Sequence, residues 1–242
     1  MPCGIPSRCL LLNSMDALQH SQLKIYDHLL QFPLFQGMSR PDMLQMAGNT
    51  KFGFLKLKAG KTVVKEGQVC NSLYFLVSGN LTITTQSDDR RYSIEEQLAA
   101  PWLLQPEALF GAHPRYRSTV STLTDVHFIT LSKDEVLRLF DDFLVFRLNL
   151  INLLSTQSQR RAHLLWRRCP GSLRQHLVRF MLDHSTYPAG RKMFHILMQQ
   201  LACEVNDSRL NVSHELNAMQ EEGLVILHRG RIEVPSIERL LM

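Results

Sequence analysis

The segment Met198–Gly223, MQQLACEVNDSRLNVSHELNAMQEEG, decides the fold. Its first part, Met198–Glu204, has helical spacing and places the small residue Ala202 at the expected crossing of two helices. Val205–Asp207 then predicts a turn, in which Asn206 tolerates the left-handed conformation better than any residue except glycine. The pattern predicts a helix-turn-helix.

A second helix follows, with Ser208 as its predicted N-cap and Val212, Leu216 and Met219 on its inward side. In the major groove of DNA, arginine can pair with guanine, and an asparagine amide can pair with adenine. Residues 224–227 and 231–234 predict a two-stranded wing with a basic tip. The candidate DNA-binding residues are Ser208, Arg209, Asn211, Ser213, His214, Asn217 and Arg229.

Charge is distributed unevenly along the 242 residues, whose net charge is +5. From residue 155 onward, 12 Lys and Arg face 8 Asp and Glu, which gives +4 and fits a polyanionic partner such as DNA. The sequence contains no apolar run long enough to predict a membrane span, so no membrane partner is expected. Five scattered cysteines do not predict a disulfide framework, and we expect a cytoplasmic location.

Residues 52–131 have a different character, with short β-like runs separated by turn residues. The apolar run Leu73–Val77 is followed by a turn at Gly79 and by the alternating stretch Leu81–Thr84. Residues 118–123 and 126–131 are expected to pair as a hairpin in the same way. This many short strands predicts an antiparallel β jelly roll.

A long helix is predicted from Lys133 to Arg167, beginning with Ser132 and Glu135 as a capping box. Its apolar and small residues alternate at steps of four and three, which indicates a seam for a second copy of the helix. A simple core helix is the alternative. The helix should end at Cys169–Gly171, a potential hinge. The candidate dimer-interface residues are Leu144, Leu148, Ile151, Ser155, Ser158, Ala162 and Leu165.

In the order of these parts, the chain resembles the cyclic-AMP receptor protein/fumarate-nitrate regulator (CRP/FNR) family from about residue 23 to 240. The resemblance also rests on Pro33–Phe35, on the glycines at 60, 67 and 79, and on Asp207–Ser213. It implies an α+β fold and a homodimer that reads a palindromic promoter. The implied parts are an N-terminal tail at 1–22, an effector-binding jelly-roll domain at 23–132, a long dimerisation helix at 133–168 and a winged helix-turn-helix domain at 169–242.

In cyclic-AMP-binding members of the family, a Gly-Glu pair is followed ten residues after the Glu by Arg and then Ser or Thr. This chain has Glu107 and, at that spacing, Arg117, Ser118 and Thr119, the candidate effector-binding residues. Pro106 replaces the glycine and removes an N–H donor. The effector therefore stays open between a cyclic nucleotide and a different small ligand, and a structural ion pair is the alternative to any ligand.

Metal-containing effectors have weaker sequence support. The tight N-terminal cysteine group of the iron–sulfur members is absent, since only Cys3, Cys9 and Cys70 are available, which disfavours a cluster. Haem is a weaker candidate than a cyclic nucleotide, because His113, His127 and His163 have no spacing that selects a ligand. No metal site is predicted. Without a nucleophile–base pair or phosphate loop, no catalytic residues and no enzyme are predicted.

Two positions depart from the family at the recognition helix. Leu210 stands where the family often has Glu, so cytosine readout by a carboxylate is not expected there, and His214 stands where Arg or Lys is common. The sequence thus predicts a DNA-binding transcriptional regulator with its own operator, and RNA polymerase is a further partner if it activates transcription. The alternative is an effector-binding or protein-interaction module whose winged helix no longer reads DNA. Either Met1 or Met15 could be the true start.

Overall fold

A computed structural model of the protein describes residues 25–164 and 166–241. The predicted N-terminal tail, both candidate start methionines, Cys3, Cys9 and the predicted interface residue Leu165 lie outside these residues. In the part of the chain that the structure describes, eight strands precede the predicted long helix and three follow it. They are β1 Gly53–Leu57, β2 Thr62–Val64, β3 Ser72–Ser78, β4 Asn80–Gln86, β5 Ser93–Ala99, β6 Trp102–Leu104, β7 Thr119–Thr122, β8 Val126–Ser132, β9 Lys192–His195, β10 Ile226–His228 and β11 Arg231–Val234.

The first eight strands form two antiparallel layers. One sheet has the order β1-β8-β3-β6, and β5, β4, β7 and β2 adjoin one another in the other. Leu73 of one layer and Leu81 of the other are fully buried and belong to one core. The predicted turn between β3 and β4 is confirmed: Gly79 has φ +95°, and a Cβ there would clash with the carbonyl oxygen of Asp125.

The expected hairpin of residues 118–123 and 126–131 is wrong. β7 pairs with β4 and β2, whereas β8 pairs with β1 and β3, so the chain crosses between layers here. The connecting residues bind other loops instead of closing a turn: Thr124 accepts a hydrogen bond from the N–H of Asn80, and Asp125 accepts one from the N–H of Ala59.

The predicted single helix over residues 133–168 is also wrong, because the structure has two helices. Besides the helical residues 25–29, the described residues contain the α-helices α1 Arg40–Asn49, α2 Lys133–Asp142, α3 Leu144–Leu164, α4 Leu173–Asp183, α5 Met198–Glu204 and α6 Arg209–Glu221. Phe143 separates α2 from α3 with extended backbone, φ −130° and ψ 98°. The break lets Leu139 of α2 and Phe146 of α3 both enter the core of the β-domain. The predicted N-cap of α2 is confirmed, since the Ser132 hydroxyl accepts from the N–H of Glu135.

The C-terminal part has its own core, formed by α4, α5, α6 and the strands β9 to β11. Its sheet does not stop at the domain boundary. β9 pairs with β5 of the jelly roll, so one sheet has the order β10-β11-β9-β5-β4-β7-β2. Ile94 of β5 is buried in the C-terminal core. The two folded parts are therefore joined by strand pairing as well as by the chain.

Candidate nucleic-acid interface and effector site

The turn between α5 and α6 has the predicted geometry. Asn206 lies in the left-handed region with φ +53°, and the N–H of Asp207 donates to the carbonyl oxygen of Ala202 at 3.0 Å. The hydroxyl of Ser208 accepts from the N–H of Asn211 at 3.1 Å, which caps α6. Local sequence chemistry thus fixes the angle at which α6 leaves the turn.

The inward face of α6 is buried as predicted, since Val212, Leu216 and Met219 are inaccessible to solvent. They pack with Leu201 and Ala202 of α5 in the C-terminal core. This packing leaves the opposite side of α6 free. Outside the buried face, Arg209, Asn211, His214 and Asn217 are exposed and Ser213 is partly exposed.

The side chain of Asn211 already has one partner. Its amide donates to Oδ1 of Asp207 at 2.8 Å, and the same oxygen accepts from the N–H of Ser208 at 2.6 Å. The amide oxygen and the second N–H of Asn211 are not used in this contact. The two groups that an asparagine needs to pair with adenine, its amide oxygen and one N–H, therefore remain available while Asn211 is bound to Asp207.

The wing is confirmed as an antiparallel pair of β10 and β11. Arg229 is exposed at its tip, and Gly230 has φ +74° in the turn. Gln220 of α6 accepts from the N–H of Leu227 at 2.7 Å, which fixes the wing to α6. The Arg191 guanidinium donates to Glu233 and, with His228 as a smaller influence, holds the pKa of that carboxyl below its ordinary value.

The four candidate effector residues have different partners in the structure. Glu107 is in a 3-10 turn and pairs with Arg161 of α3 at 3.3 Å. The hydroxyls of Ser118 and Thr119 contact Thr85 and the N–H of Glu66. Arg117 is exposed, and the described residues give its guanidinium no ion pair.

Gln105 is a residue of this site that the sequence did not reveal. Its backbone is left-handed, with φ +35°, and its side-chain oxygen accepts from the N–H of Arg117 at 2.9 Å. Its amide also donates to the carbonyl oxygen of Ser118 at 3.4 Å. The N–H of Arg117 is therefore committed to Gln105, and a phosphate that needed this donor would have to displace the amide.

The predicted seam on α3 lies on the surface of the single chain. Leu144, Leu148 and Ile151 are 56%, 46% and 49% exposed, and Ser155, Ser158 and Ala162 are also exposed. The other side of the helix is buried against the jelly roll through Phe146 and Leu150. The alternative of a simple core helix does not account for the exposed apolar residues.

Across the β5–β9 pairing lies a buried ion pair that sequence patterns did not indicate. Lys192 is fully buried, Glu96 is 1% exposed, and the ammonium is 3.0 Å from the carboxylate. The Glu96 carboxylate also accepts from the N–H groups of Thr186 and Tyr187, each at 3.0 Å. Lys192 donates in addition to the carbonyl oxygen of Ala189. Both charges are thus compensated inside the junction.

The covalent connection between the two parts is held by Arg179 of α4. Its guanidinium donates to the carbonyl oxygens of Leu164 and Arg168, at 3.3 Å and 3.1 Å. Leu164 is the last residue of α3, so Arg179 satisfies a carbonyl that has no partner within the helix. Arg179, which follows the predicted hinge at Cys169–Gly171, therefore contacts the backbone that precedes it.

No residue group of the kind that binds a metal is found within 25–164 and 166–241, where three or more His, Cys, Asp or Glu would have to converge. Cys70 is buried in the jelly-roll core. His113, His127 and His163 are exposed and belong to different elements. Within the same residues, no helix has the length and apolarity needed to cross a membrane.

Comparison with known proteins agrees with this architecture. Residues 54–143 match the cyclic nucleotide-binding domain family. The chain is 23% identical over 187 residues to the CRP-like cAMP-activated global transcriptional regulator of Mycobacterium tuberculosis, an alignment covering 75% of this chain and 83% of that protein.

Two solved structures are similar over most of their length. A protein described as a transcriptional regulator of the CRP/FNR family from Eubacterium rectale has a TM-score of 0.51 and 19% identity, covering 87% of this chain and 96% of that one. The catabolite activator protein of Thermus thermophilus has a TM-score of 0.47 and 22% identity, with the same coverages. The predicted fold class is confirmed. The chain is thus similar to the cyclic nucleotide-binding domain family over residues 54–143 and to a CRP-like transcriptional regulator over 187 residues, in agreement with its resemblance to the CRP/FNR family.

Proposed function

We propose that the chain is a homodimeric, sequence-specific regulator that binds a palindromic promoter site under the control of a small effector. The observation that carries this proposal is the free face of α6, which a capped turn and a buried inner face hold outward. Arg209 at the start of the helix would contact base edges, and Arg229 at the wing tip would contact phosphate.

The exposed seam of α3 supports the dimer. Leu144, Leu148 and Ile151 would bury their apolar surface against the same residues of a second copy. Two recognition helices would then reach major grooves about 34 Å apart on one side of the duplex. Pairing would also double the small positive charge of the C-terminal part, which strengthens binding to phosphates.

The effector site is proposed at Glu107, Arg117, Ser118 and Thr119. The family match of residues 54–143 and the name of the mycobacterial relative favour a cyclic nucleotide. Arg117, which is exposed and has no ion pair with any residue that the structure describes, would suit its phosphate. Such a ligand would compete with Arg161 for Glu107 and would thereby weaken the ion pair that connects the jelly roll to α3.

A signal at the effector site has two routes to the DNA-binding part. One passes along α3 to the connection that Arg179 holds, and the other passes through β5 into β9. Both routes end in the core that carries α6. Effector binding would act by favouring one of two arrangements of these contacts. RNA polymerase is a further partner wherever the bound dimer activates transcription.

The test is selection of DNA from a random pool by the full-length protein, followed by footprinting with and without cyclic AMP and cyclic GMP. We expect a palindromic site and a dimer in sedimentation. Arg209→Ala should weaken binding by about 1–3 kcal/mol per half-site and relax the preference at one base. Arg40→Ala is the matched control, because Arg40 is exposed on the jelly-roll domain and should leave binding unchanged.

The contrary result is a pool with no enriched sequence under any condition, or an Arg209→Ala variant that binds as well as wild type. That result would favour the alternative, an effector-binding or protein-interaction module whose winged helix no longer reads DNA. A monomer in sedimentation would remove the palindromic site from the proposal even if DNA binding persisted.

A further inference from the structure

Leu210 occupies the middle of the outward face of α6. A helix advances about 100° per residue, so Leu210, His214 and Asn217, spaced by four and three, form one line along it. This line lies opposite the buried Val212 and Met219. Leu210 therefore lies at the centre of the outward face, in the first turn of α6.

The side chain of Leu210 is 79% exposed, although it is flanked by the polar, exposed Arg209 and Asn211. It makes no contribution to the C-terminal core, whose α6 members are Val212, Leu216 and Met219. Folding therefore does not explain a large apolar group at this position. A partner that presents an apolar group to the first turn of α6 would.

We propose that Leu210 reads thymine by contacting its 5-methyl group, once in each half-site. This inference rests on the proposed function. In the major groove, thymine is the base that presents a methyl group, and residues in the first turns of a recognition helix reach base edges. Leucine has no hydrogen-bonding group, so a cytosine or adenine amino group facing it would lose water without gaining a partner.

Leu210 should therefore affect sequence specificity only through the 5-methyl group of one thymine in each half-site. Replacing that thymine by uracil removes the methyl group. The hydrogen-bonding groups on the Watson–Crick edge and on the major-groove edge of the base stay unchanged. Loss of one buried methyl corresponds to about fourfold in affinity per half-site, or about fifteenfold for a palindrome with both sites changed.

The experiment uses the site selected by the full-length wild-type protein, with each symmetric pair of thymines replaced in turn by deoxyuridine. Wild type should lose affinity at one pair. Leu210→Ala should bind the thymine and uracil versions of that pair equally. Leu137→Ala is the matched control, because Leu137 is 44% exposed on α2 in the jelly-roll domain and its loss should leave the uracil penalty intact.

Two results would overturn the proposal: a wild-type protein insensitive to uracil at every thymine, or a Leu210→Ala variant that keeps the full penalty. The second result, with affinity for the thymine and uracil sites lowered by the same factor, would assign Leu210 to contacts other than the methyl group. Failure of the proposed function would look different, since no site would be enriched for the wild type at all.

Discussion

Two carboxylate–cation pairs connect the jelly roll to the elements that follow it, and they differ in burial and in the number of their hydrogen bonds. Glu107 and Arg161 meet at the surface, with side chains 32% and 61% exposed. Glu96 and Lys192 meet inside the sheet with almost no exposure, and both the carboxylate and the ammonium have further hydrogen-bond partners.

The surface pair can be exchanged for water or a ligand at little cost, whereas the interior pair cannot be broken without leaving a buried charge. The first suits a contact that opens during regulation. The second suits a contact that fixes which residues of β5 and β9 face each other. Three substitutions, ordered by the size of the expected effect, test whether burial sets this difference.

The largest effect is expected from Lys192→Met, which leaves the Glu96 carboxylate buried without its cation. The free energy of unfolding in urea should fall by about 3–5 kcal/mol. Lys56→Met, a change of the same kind at an exposed position of β1, is the control and should stay within about 0.5 kcal/mol of wild type. A Lys192→Met variant as stable as this control would show that the pair does not hold the junction.

An intermediate effect is expected from Arg191→Ala, because its guanidinium is 44% exposed while Glu233 is 16% exposed. Solvent screening limits the loss of stability near pH 7 to about 1 kcal/mol. Because the pKa of Glu233 is lowered in the folded state, its stabilisation is present above the ordinary carboxyl pKa and disappears as pH falls through the lowered value.

The measurement for Arg191→Ala is the Glu233 carboxyl titration by NMR together with urea unfolding at several pH values. The variant should raise the pKa of Glu233 and flatten the acid limb of the stability curve. An unchanged titration would mean that Arg191 does not control the carboxyl.

The smallest effect is expected from Arg161→Ala, which removes the exposed partner of Glu107. The stability measured by urea unfolding should change by less than about 0.5 kcal/mol, since Glu107 can be hydrated in place. Arg160→Ala, the neighbouring exposed arginine, is the control. A fall of several kcal/mol in the free energy of unfolding for Arg161→Ala alone would show that the surface pair is as costly to break as the buried one, contrary to the difference described above.

The elements that the sequence predicted are those whose chemistry is local. The helix-turn-helix follows from Asn206, the Ser208 cap and three apolar residues on one face, all within a short stretch. The wing follows from its two short apolar runs and the glycine between them. Each feature is decided by neighbours in the chain, so a single sequence was sufficient.

The features that the sequence did not predict depend on distant partners. Glu96 and Lys192 are far apart in the chain, and neither lies in a motif. No proline or glycine marks the break at Phe143 in the sequence. The break follows from packing, since α2 and α3 each place residues in the core of the β-domain. The Thr124–Asp125 connection resembles a hairpin turn locally, but loops from other strands bind its residues.

The pairing of β5 with β9 also has a consequence for solubility. Each strand would otherwise present a row of free N–H and C=O groups at a sheet edge, next to the apolar side chains Ile94 and Phe194. Unpaired edges of this kind template intermolecular β-pairing. Any state in which the two domains separate therefore exposes two unpaired edges at once, and the closed junction protects the protein from aggregation by covering both.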